Sequence, residues 1–181
     1  MAVNNGLIIT LFILVATNLA IEYGFGVKAQ WLPFTAEIGF SEQQWQFLRW
    51  WVKLALVAGV LLPISLLFQA WKQPFSLIFW GTYLLVLAVQ LVSERVFSRW
   101  LAPSVVVPIG FFYTAFRLWR LLAGFSQLAL SHLASGVFGV VVLFWTSNLL
   151  MLTVMVIPTV FISPLSRVAK TSHNAATDNR K

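Results

Sequence analysis

From Leu7 to Gly26 the chain meets a single charged residue, Glu22, close to the far end of the stretch. Similar apolar runs recur from Val52 to Trp71, from Phe75 to Ser93 and from Gly136 to Ile162. As helices, each is about the roughly 20 residues that cross the hydrocarbon core of a bilayer. Backbone groups in hydrocarbon must find their partners within the protein, and a helix does this inside one segment. The expected fold is therefore all-α, a polytopic integral membrane helix bundle. A single transmembrane helix-bundle domain is expected over 1–165, with a polar, disordered cytoplasmic tail over 166–181.

Composition excludes the soluble alternative. Of the residues, 60% are hydrophobic and 9% charged, against roughly a quarter charged in soluble domains. Twelve Lys and Arg against five Asp and Glu mark loops held in the cytoplasm, not a nucleic-acid surface. The absence of cysteine excludes disulfides, iron–sulfur ligation and thiolate chemistry. The first segment lacks the basic opening of a signal peptide and a small-x-small cleavage site, so a retained first helix is expected. The expected setting is a bacterial-type plasma (inner) membrane.

The stretch from Val96 to Leu122 decides the number of crossings. Arg95 and Arg99 precede an apolar strip containing Pro103 and Pro108, and Arg117 and Arg120 follow it. If residues 100–116 cross, one side holds Lys28, Arg49, Lys53, Arg95, Arg99, Arg167, Lys170, Arg180 and Lys181. The other holds Lys72, Arg117 and Arg120, a split of nine against three. Without the crossing the split is seven against five. The positive-inside rule favours five helices with the N-terminus outside. The alternative is four helices plus a re-entrant or interfacial segment. In the five-helix reading Arg95, Arg99, Arg117, Arg120, Arg167 and Lys170 are topology anchors that snorkel to the surface.

Local signals place the helix ends. Ser41 with Gln44 three residues on forms a capping-box pattern, Pro74 suits a first helical turn, and Pro63 predicts a kink. Pro33 and Gly39 are expected to break the first connection. Trp31, Trp45, Trp50, Trp51, Trp71, Trp100 and Trp119 lie near expected helix ends, as interfacial anchors do. Trp80 and Trp145 do not, and core packing is expected of them.

Small residues recur at helix-packing intervals: Ala16, Ala20 and Gly24; Ala55 and Gly59; Ser131, Ser135 and Gly139. Such stripes let helices approach closely, within the bundle or against another chain. Asn18, Gln90 and Asn148 fall at membrane depth, as interhelical hydrogen-bonding groups or as the lining of a ligand cavity. Glu22 and Glu94 sit near helix ends, so no intramembrane ionisable relay is expected. HExxH, GxSxG, Walker and paired-carboxylate patterns are missing. No catalytic residue, cofactor or metal ligand is expected.

These readings lead to a small non-enzymatic membrane protein, a structural, assembly or accessory subunit. Its partners would be the bilayer and other membrane proteins, or copies of itself. The alternative is a permease or sensor for a small apolar molecule, with Asn18, Gln90 and Asn148 converging on one cavity. The charge split makes the topology testable. Asn5→Cys and Ala176→Cys should label from opposite sides of intact cells, with the residue-176 thiol protected. Labelling of both from one side would exclude five crossings.

Overall fold

The computed structural model describes residues 2–32, 34, 39–69, 71–128 and 130–158, with side chains from residue 6 onward. Pro33 and the tail, including Arg167 and Lys170, lie outside the described residues. Every regular element among the described residues is helical. Five helices are long and apolar enough to cross a membrane, which suggests a multi-pass membrane protein. They are α1 (Ala2–Lys28), α2 (Glu42–Gln69), α3 (Pro74–Trp100), α4 (Pro103–Gln127) and α5 (His132–Val156).

The helix ends follow from local chemistry. Helix α1 stops at a left-handed residue, Gln30, with φ 60°. The Trp31 N–H reaches back to the Gly26 carbonyl at 2.9 Å, and the Gln30 N–H to Val27 at 3.2 Å. That pair of bonds is a Schellman motif, which satisfies carbonyls the helix end would otherwise leave open. The helix therefore ends ahead of Pro33 and needs no proline to stop it. At the start of α2 the capping box forms: the Gln44 N–H donates to Ser41 Oγ at 3.3 Å and the Ser41 N–H to Gln44 Oε1 at 2.8 Å. Pro74 opens α3, and Ser131 caps α5 by accepting the Ala134 N–H.

Two helices widen before a proline. In α2 the turn Val57–Leu61 is π-helical, and the Leu62 N–H reaches back five residues to Val57. In α5 the turn Leu152–Val156 does the same, with the Ile157 N–H on Leu152. Pro63 and Pro158 follow directly. A proline ring collides with the carbonyl four residues back, and a widened turn relieves that collision. The kink expected at Pro63 takes this form.

The stretch around Arg117 is a full member of the bundle. The expected segment, 100–116, stopped at the arginine, but α4 continues to Gln127. Its 25 residues span about 38 Å at about 1.5 Å per residue. Arginine was the wrong boundary marker here, because one of the two arginines points into the protein.

Helices α3 and α4 pack against each other at the centre. Helices α2 and α5 join them through a core that includes Leu66, Trp80, Leu121, Phe138 and Val141. Helix α1 lies on the other side, where Ile9, Ala16, Ala20 and Val27 meet Val86, Val105 and Ile109. Helices α1, α2 and α5 leave most of their apolar surface outside the protein. Such exposure is costly in water, whereas in a bilayer lipid tails would cover it at little cost.

A non-glycine residue in the left-handed region costs about 1–2 kcal/mol. Gln30→Gly should raise stability by about 0.5–1 kcal/mol, part of the gain being offset by a freer unfolded chain. Equilibrium unfolding in mixed micelles measures this, and a loss of stability would contradict the Schellman geometry.

Candidate functional site

The central helices enclose a polar cluster built around Arg117. This residue follows Pro103 by fourteen positions and precedes Gln127 by ten on α4. That places it about 21 Å and about 15 Å from the two helix ends. Its side chain is 1% exposed. As an expected surface anchor it is therefore misplaced: the guanidinium lies inside the bundle, between α3 and α5. Nη2 donates to Gln90 Oε1 on α3, and Gln90 Nε2 donates to Glu94 Oε1 at 2.7 Å. The carboxylate thus reaches the guanidinium through an amide. The guanidinium also stacks over the Trp145 ring at 3.9 Å and faces the Tyr83 ring at 5.6 Å.

A second chain of bonds supports those rings. Trp145 Nε1 donates to Tyr83 Oη at 2.7 Å, and Tyr83 Oη donates to the Gly59 carbonyl at 2.9 Å. In a regular α-helix that carbonyl would accept from residue 63, but Pro63 has no N–H to give. Tyr83 therefore satisfies the oxygen that Pro63 frees. Gly59 is required by the same packing, since a Cβ there would stand 2.7 Å from Trp145 Cζ2. Farther along, Trp51 Nε1 donates to Asn148 Oδ1 at 2.7 Å and Asn148 Nδ2 to Thr114 Oγ1 at 3.2 Å. Two polar groups of side chains thus tie α2, α3, α4 and α5 together.

Arg117 nevertheless remains short of partners. Its Nε and Nη1, together with Trp80 Nε1, are buried without a hydrogen-bond partner. Removing a cation from water costs several kcal/mol after relaxation. A desolvated cation–π contact returns about 2 kcal/mol or somewhat more. The Gln90 bond adds about 1.5–3 kcal/mol. These terms leave the unpartnered Nε–H and Nη1–H groups of Arg117 as an uncompensated cost within the bundle. Arg120, one turn on, is partly buried, donates to Thr82 Oγ1 at 3.2 Å and stands over Phe79.

The other residues singled out by sequence divide clearly. Gln90 and Asn148 enter these two groups, whereas Asn18 is exposed on α1, so the three do not converge on one cavity. Ala16, Ala20 and Gly24 are buried, and a Cβ on Gly24 would stand 2.7 Å from Leu101 Cβ. Ala55 is half-buried beside Gly59 on the face that packs on the core. The third stripe turns outward. Ser131 serves as a cap, Ser135 is half-buried, and a Cβ on Gly139 would meet nothing within 4 Å. Arg95 and Arg99 are exposed in the last turns of α3.

Glu94 differs from the expectation of a water-reaching carboxylate: it is partly buried and bonded to Gln90. Tyr83, Gln90 and Glu94 stand seven and four residues apart, on one face of α3. That spacing is a signal the sequence carries, although Glu94 also lies close enough to a helix end to be expected in water. Among the described residues no three His, Asp or Glu side chains gather to hold a metal ion. No protein-family model, curated protein or solved structure matches the chain.

Tyr83→Phe keeps the ring but strands the Gly59 carbonyl and the Trp145 N–H. Leaving a buried polar group unsatisfied costs about 1–3 kcal/mol. The variant should unfold at lower denaturant in mixed micelles, and Trp145→Phe on that background should cost less than in the native chain. Additive losses would show that the two groups do not share one network.

Proposed function

We propose that the protein is a non-enzymatic structural or accessory subunit of a membrane assembly, docking a neighbouring transmembrane helix on the outer face of α5. The observation that carries this reading is that Gly139, which ends the Ser131–Ser135–Gly139 stripe, and Gly136 beside it both face outward. A Cβ on Gly136 or on Gly139 would meet nothing within 4 Å. Thr146 and Thr153 lie exposed on the same helix, and each hydroxyl donates to a carbonyl four residues back in its own helix. Small residues and self-bonded hydroxyls let a second helix approach closely in lipid, where tight van der Waals contact drives association. The bundle has no internal need of this face, since α5 packs on its neighbours through Phe138, Val141 and Trp145. The partner is another membrane protein or a second copy of this chain, and the setting is a bacterial-type plasma membrane.

The permease or sensor reading has weaker support. Gln90 and Asn148 are engaged in hydrogen bonds, and the cavity beside Arg117 holds about 10 Å³. That is room for roughly one water molecule.

The double variant Gly136→Leu with Gly139→Leu tests the docking face. Its unfolding free energy should stay within about 0.5 kcal/mol of the native chain, as for other surface positions. The complex extracted from native membranes in mild detergent should become smaller. An unchanged complex would refute docking through α5, and an equal loss of stability would make the stripe an internal contact instead.

A further inference from the structure

Arg117 and Arg120 lie one turn apart on α4 and line a common small cavity with Thr82, Tyr83, Phe79 and Phe116. Both arginines therefore border one cavity, and Glu94 is the carboxylate that reaches Arg117, by way of Gln90. The local balance is one positive charge in excess. Arg117 Nε and Nη1 are fully buried and unpartnered, which is the state a buried cation avoids unless something else pairs with it. A second cavity of about 80 Å³ adjoins the first, sharing Phe79 and Arg120. Phe75, Trp119, Gly124 and Gln127 line it, at the end of α4 and the start of α3.

From this arrangement we propose a binding site for one halide-class monovalent anion between Arg117 and Arg120. The anion enters past Arg120 and is held by an unpartnered N–H of Arg117 and by Arg120. Its single charge matches the excess of one. The cavity of about 10 Å³ admits one particle of roughly water size, which selects a monatomic ion over a phosphate or a carboxylate. Phe79, Phe116, Val86 and Leu121 supply the apolar part of the lining. Beyond Arg117 the route closes at Gln90 and Glu94, where a carboxylate repels anions. The arrangement is thus a blind site and not a conduction path. Its consequence is that the central polar network is complete only when the anion is bound.

Thermal melting of the full-length protein in detergent, in potassium chloride against potassium gluconate at equal ionic strength, tests the site. Chloride should raise the midpoint saturably, by about 5 °C at a hundredfold excess over Kd. Arg120→Gln should lose the chloride-dependent rise, and so should Thr82→Val, which keeps both arginines and serves if the first variant does not fold. Crystals grown in bromide should show one anomalous peak between the two arginines. Equal midpoints in the two salts, a chloride rise retained in Thr82→Val, or no bromide peak would each overturn the assignment and leave a water molecule as the occupant.

Discussion

A guanidinium withdrawn from water must be solvated by the protein, and this requirement organises the centre of the bundle. Arg117 draws Gln90 and Glu94 from α3 and the rings of Tyr83 and Trp145 from α3 and α5. Those rings are oriented by their own polar atoms, which bond to each other and to the α2 backbone at Gly59. In lipid there is no hydrophobic force between helices to compensate for an ill-fitting polar group. The charged side chain therefore fixes which faces of four helices meet. Helix α1, outside this cluster, is held by Ala16, Ala20 and Gly24 packing closely, by Ile9 and Val27, and by Phe12 stacked on Phe116.

The prolines belong to the same scheme. Pro63 frees a carbonyl at membrane depth, which would be costly if left bare. The Tyr83 hydroxyl meets it, and that hydroxyl stays in place because Trp145 donates to it. A defect in one helix thus becomes an attachment point for another. The absence of a side chain at Gly59 completes the fit, by letting the Trp145 ring lie against the α2 backbone.

Much of the architecture was legible in the sequence, where the physics is local. Apolar runs with breakers between them are length measurements, and capping at Ser41 depends on a residue three positions away. The start of α3 at Pro74 was equally plain. What sequence could not supply was direction. The stripes Ala16–Ala20–Gly24 and Ser131–Ser135–Gly139 share a spacing, yet one packs inward and the other faces out. Arginine was the sharper failure. Counted as a surface residue, Arg117 shortened α4 and hid the central cluster, because its partners Gln90 and Trp145 lie 27 and 28 residues away in opposite directions along the chain. Only the fold brings them together.

The widened turns at Val57–Leu61 and Leu152–Val156 also bear on ancestry. A single residue added to an α-helix rotates everything beyond it by about 100°. In α2 such an offset lies between Trp51 and Ala55 on one side of the turn and Leu66 on the other, all directed at the core. A chain lacking one residue inside the turn would have a regular helix there and present the same faces to the bundle. A one-residue change of length is therefore absorbed at these two places, whereas elsewhere in the helix it would rotate everything beyond it. Any homologous chain with regular helices here must be matched to this one with a one-residue gap inside each helix, even though gaps are ordinarily confined to connections.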